Sequence, residues 1–586
     1  MNSTDHSTPT PTRELRLWPA ILLIVLMVVA RVFPKLLGLR DPRVLTVSFL
    51  GPALCGMLLL LGWWLASSRA AWKDRIVGVL GVAGLAVIAG FLSDRSMLPL
   101  GYMMYAIPWG MAAFGIGVVG ASLVAIGKPV WIGLLASLIA FGYWDAVRSD
   151  GVNGDFRDAR SWRWEPTAEE RFMSELATRA KKPGELATSL EKVAEVAEAE
   201  WPGFRGVHRD NAILSAEIDI DWEVRPPREL WRHAIGPAWS SFAVAGNRLF
   251  TQEQRGEMEA VTCYDADTGD ELWALDYPSR FWEAIAGAGP RGTPTWHNGH
   301  LFTLGAEGIL QCIAANTGAQ IWQRDLREDA SRKPPMWGFS ASPLVVDQVV
   351  LVHAGGDGDR GVLAYDMETG DLAWSAPSGD HTYSSPHLVE LLGRSYVLML
   401  CNDGLCALDP TDGSVAWKHA WGMEGYRVVQ PLVFGESRIL LGTGMEEGTR
   451  CINIDINGDQ LDTTEVWTER SIKPNYNDYV AHEGYLYGFD HNIFACIDLE
   501  TGVRQWKKGR YGNGQVLLLP DANQLLVMTE QGELIVLRTN PEKLEVLARH
   551  PVLNGKTWNH HVLVGNRVYA RNAEEMAAYE LPMVVR

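Results

Sequence analysis

One unit recurs along the C-terminal part of the chain, and it restricts the fold more than any other feature. Tyr264-Asp265-Ala266-Asp267-Thr268-Gly269 leads to Trp273, and Tyr365-Asp366-Met367-Glu368-Thr369-Gly370 leads to Trp374. Leu408-Asp409-Pro410-Thr411-Asp412-Gly413 leads to Trp417, and Ile497-Asp498-Leu499-Glu500-Thr501-Gly502 leads to Trp506. In every copy Trp stands four residues after Gly. A weaker copy runs from Asn316-Thr317-Gly318 to Trp322 with Ala314 where Asp would fall, and a longer one containing Asp455, Asn457 and Gly458 ends at Trp467. Successive tryptophans are 49, 52, 43, 50 and 39 residues apart, enough for a four-stranded antiparallel sheet each. Asp and Thr-Gly shape a tight hairpin through side-chain capping and positive φ at Gly, while Trp supplies one large apolar plate per unit. Trp273, Trp322, Trp374, Trp417 and Trp506 recur at one place in each unit, so their expected role is packing between neighbouring units. A ligand would instead need different groups from different units.

Six marked copies leave sequence over at both ends. Leu230-Trp231 reads as a lone final strand ahead of the first copy. Beyond the last, strand-like runs at Gln515 to Leu519, Gln524 to Met528, Glu533 to Leu537, Val562 to Val564, Arg567 to Ala570 and Met576 to Leu581 supply about two more sheets. The early strand then completes the last sheet and closes a ring, which removes exposed sheet edges. An eight-bladed propeller is expected, with seven blades as the fallback.

The first 150 residues are different in kind. Leu17 to Leu37, Val44 to Ala66, Ile76 to Leu92, about Met103 to Ile126 and Val130 to Phe141 are apolar runs near the roughly 20 residues that a membrane-crossing helix needs. They contain no charged pair that suggests an ion path, and the Gly-rich stretch Gly115 to Gly120 is expected to serve close helix packing. Arg31 and Lys35 follow the first run without a small-residue cleavage pattern, so it reads as a retained anchor. Residues 1 to 150 hold 12 Lys/Arg and 7 Asp/Glu, which leaves 40 against 63 for the remainder of a chain whose net charge is −18. An acidic outer portion argues against a nucleic-acid partner. Arg13, Arg16, Arg69, Lys73, Arg75 and Lys128 outnumber Lys35, Arg40, Arg43 and Arg95, which places the N-terminus inside and the ring in the periplasm or exterior of a multi-pass (inner) membrane protein. Between the two parts, Pro166, Thr167 and Glu170 form a capping box, and a second helical stretch follows Gly184 with Leu186, Leu190, Val193 and Ala197 on one face. The expected division is 1–150 transmembrane, 151–205 helical connector and 206–586 propeller.

The repeat Asp-x-x-Thr-Gly-x-x-x-Trp resembles that of pyrroloquinoline quinone (PQQ) type propellers, and the phrases Trp201-Pro202-Gly203-Phe204-Arg205-Gly206, Ser342-Pro343-Leu344-Val345 and Gly555-Lys556-Thr557-Trp558-Asn559-His560 are similar to those of bacterial membrane-anchored PQQ-like propeller proteins. The resemblance covers roughly residues 200 to 582 and implies a quinoprotein alcohol dehydrogenase-like ring. It implies one of two activities. In the dehydrogenase branch PQQ and Ca²⁺ occupy the central channel, an Asp is the base acting on an alcohol or sugar, and electrons pass to membrane quinone. The other branch is similar to an outer-membrane-assembly lipoprotein, binds no cofactor and serves as a scaffold for envelope proteins or polymers. A ring of under 390 residues without an adjacent Cys-Cys pair favours the scaffold.

A site, if present, is expected where inner strands reach the channel mouth. By position the candidates are Arg291, Trp337, Tyr383, Arg427, Asn477, Trp558 and His560 for a cofactor, Asn475, Asn477 and Asp478 for Ca²⁺, and Asp478 as the base of the enzyme reading. Arg291 and Arg427 would pair with an anionic ligand, or with carboxylates between blades. Trp337 or Trp558 would stack on a planar ring, or plug the channel. Asn475 to Asp478 read equally as turn caps. Gly287 to Gly292 matches GxGxxG, but Pro290 lies within it and a strand follows where a dinucleotide site needs a helix. His560 and His561 are adjacent in a strand and point to opposite faces, so they do not share a metal. The seven cysteines form no CxxC and read as small apolar residues in strands, with Cys263 and Cys496 in different blades.

Overall fold

The structure, a computed structural model, describes residues 14–36, 42–99, 101–154, 158–179, 198–214, 216–379, 382–423, 425–444, 447–457 and 460–584. The chain divides into two compact units, residues 1–152 with 158–165, and residues 153–157 with 166–586.

The first unit is helical. α1 (Trp18–Leu36), α2 (Pro42–Met57, continued by π-type turns Leu58–Ser67), α3 (Trp72–Leu92), α4 (Ile107–Leu123, preceded by π-type turns Tyr102–Ala106) and α5 (Pro129–Asp145) fall on the five apolar runs. Three segments, Leu50–Ser67, Trp72–Leu92 and Tyr102–Leu123, are long and apolar enough to cross a membrane; Trp18–Phe33 and Pro129–Asp145 are shorter apolar helices. Small residues bring α4 and α5 close. A methyl group on Gly117 would come within 2.8 Å of the Gly133 Cα, and Ser137 Oγ donates to the Gly110 carbonyl at 2.6 Å. Gly115 packs on Leu59, whereas Gly120 has open space around it. A hairpin of Val147–Val152 and Asp158–Trp162 completes the unit.

The second unit opens with the capping box. Thr167 N donates to Glu170 Oε2 at 2.7 Å and Glu170 N to Thr167 Oγ1 at 2.9 Å, starting α6 (Ala168–Arg179). α6 lies against the first blade, where Glu169 accepts from Gly256 N and Arg280 and where Phe172 is buried. The stretch expected to form a second connector helix, through Leu186, Leu190, Val193 and Ala197, falls outside the described residues.

Eight four-stranded antiparallel sheets follow. Their inner strands are Ala243–Ala245, Thr295–His297, Leu344–Val346, His387–Leu391, Leu432–Phe434, Val480–His482, Gln515–Leu519 and Val562–Val564. The eighth blade takes its outer strand from the start of the ring: Arg228–Ala234 pairs with Glu575–Glu580, placing Trp231 opposite Ala578. That closure leaves no free outer edge between first and last blades. Blade seven has an outer strand, Val546–Pro551, that the sequence reading left out. Ala548 there occupies the register position that holds Trp in blades one to six, so the strongest repeat marker is missing.

The tryptophans and the hairpin glycines are one device. In the hairpins Asp265, Asp366 and Asp498 each accept from two backbone N–H groups, and Gly269, Gly370 and Gly502 take φ of 74, 74 and 71°. Each such glycine seats the indole of the preceding blade: a methyl group on Gly269 would come within 2.7 Å of Trp231, on Gly318 within 2.6 Å of Trp273, on Gly370 within 2.7 Å of Trp322, on Gly413 within 2.3 Å of Trp374 and on Gly502 within 2.7 Å of Trp467. Trp231, Trp273, Trp322, Trp467 and Trp506 also donate Nε1 to a carbonyl of the next blade at 2.9–3.1 Å, while Trp374 and Trp417 have no such acceptor among the described residues. Trp322→Ala is expected to cost about 3–5 kcal/mol through lost burial and the cavity left behind. Gly370→Ala is expected to cost about 2–4 kcal/mol, from left-handed backbone and overpacking against the same indole. Both should lower the melting temperature of the purified chain, and an unchanged melting curve for Gly370→Ala would show that the indole does not sit there.

Candidate functional site

The centre of the ring is occupied by the chain itself. Residues 201–211, just ahead of the first blade, touch all eight blades. Trp201 exchanges backbone hydrogen bonds with Val244 of blade one, and Trp296 N of blade two donates to the Pro202 carbonyl at 2.7 Å. Arg209 donates to the Pro343 and Pro386 carbonyls, which lead into blades three and four. Arg205 reaches Gln430 of blade five at 3.4 Å and the Tyr479 carbonyl of blade six at 3.3 Å. Leu518 N of blade seven donates to the Asn211 carbonyl at 2.8 Å, and Phe204 meets the His560 ring of blade eight edge-on at 4.9 Å.

A segment this short reaches so many partners by coiling tightly. Arg205, Arg209 and Asn211 take φ of 64, 52 and 62°, and Gly206 takes 86°. Left-handed backbone at three residues other than glycine costs of order 1–3 kcal/mol each and persists only where the surroundings over-determine it. Here they do: Arg205, Arg209 and Asn211 are 1%, 7% and 0% exposed. Arg209 has no ion pair among the described residues; burial and the neighbouring Arg205 push its guanidinium down to about 9.

Two residues picked from the sequence meet on this segment. Asp478 Oδ2 lies 3.0 Å from His560 Nε2, and Asp478 Oδ1 lies 3.5 Å from Arg205. Burial alone would raise the Asp478 carboxyl, but Arg205 and the His560 contact outweigh it and hold the group below the ordinary carboxylate range. His560 and His561 stand just ahead of the inner strand Val562–Val564 and not within a strand as expected; His561 is fully buried and turns Nε2 to the Leu526 carbonyl at 3.2 Å, so the two histidines still have different partners.

Above the segment, aromatic clusters line the mouth. Trp558 stands between Trp239 at 4.9 Å and Tyr476 at 4.8 Å, with its Nε1 on Glu530 at 2.7 Å. Lys556 lies over the same indole at 4.4 Å, and burial lowers its ammonium to about 8. Trp337 packs on Tyr383 at 5.1 Å and Tyr426 at 4.2 Å. Arg291 pairs with Glu283 at 3.2 Å and stacks on Phe281, within electrostatic reach of Tyr383 in one cluster and of Lys556 beside the other; Arg427 is fully buried on the Cys401 and Trp421 carbonyls.

These contacts test whether the residues fit PQQ and Ca²⁺. A planar quinone needs an uncovered aromatic face and cations facing its carboxylates. Trp558 and Trp337 each have aromatic neighbours, and Arg291 and Arg427 are held by groups of the protein. A Ca²⁺ site needs converging oxygens. Asn477 Oδ1 accepts from Asn475 N at 3.0 Å, Asn475 Nδ2 turns to Asn513 at 3.2 Å, and Asp478 faces an arginine. The donors diverge, and a cation at Asp478 would meet the charge of Arg205. The set does not fit the two groups.

Arg209, His387 and Glu530 are residues that sequence reasoning missed, and Arg205 and Lys556 stood only inside phrases of the resemblance with no role given to them. The local signal for Arg205 and Arg209 was a pair of arginines in a short Gly- and Asn-containing stretch ahead of the ring.

The ring is thus an eight-bladed β-propeller built from PQQ-like repeats. Residues 257–508 match the family model described as outer membrane protein assembly factor BamB. Among curated relatives, quinohemoprotein alcohol dehydrogenase ADH-IIG of Pseudomonas putida is 37% identical over 121 residues, 20% of this chain and 16% of that protein. Outer membrane protein assembly factor BamB of Yersinia pestis is 24% identical over 140 residues, 22% of this chain and 31% of that protein. The chain therefore matches less than a third of either relative's length. Among solved structures, BamB from Moraxella catarrhalis superposes with a TM-score of 0.44 at 14% identity, covering 61% of this chain and all of that one. Quinohemoprotein alcohol dehydrogenase ADHIIG from P. putida gives 0.41 at 12% identity, covering 68% and 82%.

Proposed function

We propose that this protein is a membrane-anchored propeller that acts as a binding or assembly scaffold at the cell envelope, with the ring on the periplasmic or exterior side of the inner membrane. The observation that carries the reading is the segment 201–211 on the ring axis: it engages Asp478 and His560, the residues a dehydrogenase reading would use, in contacts within the chain. A channel filled in this way leaves the outer surfaces of the ring as the working part. The match of residues 257–508 to the BamB-described model supports the same direction.

The experiment is reconstitution of the purified chain with PQQ and Ca²⁺, followed by assay with alcohols, sugars and a dye acceptor. The scaffold reading expects dye reduction at the level of the no-protein control. Dye reduction above that control and dependent on added PQQ would replace it with a quinone-linked dehydrogenase. Orientation is tested by a reporter fused after Gly151, which should be active only if it folds outside the cytoplasm; activity of a cytoplasm-dependent reporter at that position would reverse the topology.

A further inference from the structure

One sector of the mouth face of the ring, in blade six, carries an excess of cations. The turns between second and third strands lie on this face with the loops that enter the inner strands. In every blade but the sixth this turn contains an acidic residue, from Glu257 in blade one to Glu574 in blade eight. Blade six has His491-Asn492 instead, preceded by Asp490. Asp490 is fully buried, and three cations converge on it: Lys507 at 2.5 Å, Arg504 at 2.9 Å and Lys473 at 3.2 Å. One cation would neutralise one carboxylate. Arg470, Lys508 and Arg510 are exposed in the same two chain segments, 469–473 and 504–510, and have no ion pair among the described residues. Glu469 is the one acid there, so six cations stand against two carboxylates in a chain whose net charge is −18.

We infer that this basic sector of blade six docks an acidic segment of a partner protein. The inference rests on the scaffold reading and names the chemistry of what the scaffold holds. The buried Asp490 fixes the three cations in place, so they meet an anion already ordered. Complementary charge gives such a contact its specificity and its encounter rate. A flat anionic surface, such as a lipid leaflet, fits less well, because it would also meet the acidic residues in the turns of the other seven blades on the same face. A short acidic segment confined to one sector avoids them.

The test uses the full chain in zwitterionic nanodiscs and a fluorescent oligoglutamate peptide, read by anisotropy at low salt and at about 150 mM salt. Binding that weakens with salt is expected, and Lys508→Glu with Arg510→Glu should weaken it by at least about tenfold. Both side chains are exposed, so the melting curve of this variant should match the parent, which separates lost docking from lost folding. Absence of binding at low salt, or binding that the double variant leaves unchanged, overturns the inference. So does capture of vesicles containing about 30% phosphatidylglycerol in place of the peptide, since the partner would then be lipid. Quinone-dependent dye reduction would refute the scaffold reading whatever the peptide does; peptide failure without dye reduction refutes only the acidic-segment inference.

Discussion

Asp478→Ala is expected to destabilise the ring by about 3–5 kcal/mol, because it leaves Arg205 as an uncompensated charge in the interior. Arg205 and Asp478 side chains are 1% and 3% exposed, so water does little to soften the loss. The effect should extend beyond one blade, since Arg205 also holds Gln430 and the Tyr479 carbonyl and sits in the segment that touches all the others. Replacing both members with apolar residues of similar size, Arg205→Met with Asp478→Leu, should recover more than half of the stability, because no lone charge is then buried. Thermal unfolding of the two variants and the parent decides it. A single variant as stable as the parent would mean that Asp478 faces solvent or a ligand instead of Arg205.

The second large effect is a loss of stability in mild acid. His561 is held down to about 3 by burial and by the neighbouring His560. His387 is held down to about 4 by burial and Arg205, which outweigh the Pro431 and His208 carbonyls facing its two nitrogens. Both are neutral in the folded ring, whereas in the unfolded chain they take up protons below roughly pH 6.5. Between the folded and unfolded values the unfolded state binds two more protons, so stability falls with falling pH by about 2.7 kcal/mol per unit. The loss begins near pH 6.5 and runs to about pH 4, with little change from these groups above pH 7. Asp478 adds a later loss in the opposite chemical sense: its carboxyl is depressed when folded, so its contribution is present above the unfolded carboxylate value near pH 4 and disappears on further acidification. Denaturant titrations at several pH values should show the slope, and His561→Gln should reduce it by about one proton. A parent and variant with equal slopes would show that His561 titrates normally and is not buried.

The parts of the fold legible in the sequence are those carried by local, repeated chemistry. Asp265, Gly269 and Trp273 lie close in sequence and mark a hairpin and its plate, and the copies at Asp366, Asp409 and Asp498 give the blade count most of its support. Leu230-Trp231 marked the closing strand because it had the last part of a repeat without the first. Blade seven was harder, since Ala548 stands where the other blades show Trp. The site was harder still. Asp478 and His560 could each be placed ahead of an inner strand, but what faces them depends on Arg205, which is 273 and 355 positions away in the chain. Trp201 to Gly206 was noticed only as a phrase resembling those of other propeller proteins. Its coiled backbone and two buried arginines are properties of eight blades converging on one axis, and no local pattern encodes that convergence. The basic sector of blade six had the same difficulty, because Lys473 lies in the loop that enters the blade, Asp490 at the end of its second strand and Arg504 at the start of its outer strand.

Hydrogen exchange across residues 201–211, with and without PQQ and Ca²⁺, tests the central claim that the chain itself fills the ring axis. The amides of Trp201, Gly206, Arg209 and Asn211, four buried residues, donate within this segment or to the first blade. The account predicts protection comparable to the inner strands and the same protection after PQQ and Ca²⁺ are added. Exchange as fast as an exposed loop, or protection lost from this segment when PQQ and Ca²⁺ are added, would contradict it and return the axis to a ligand.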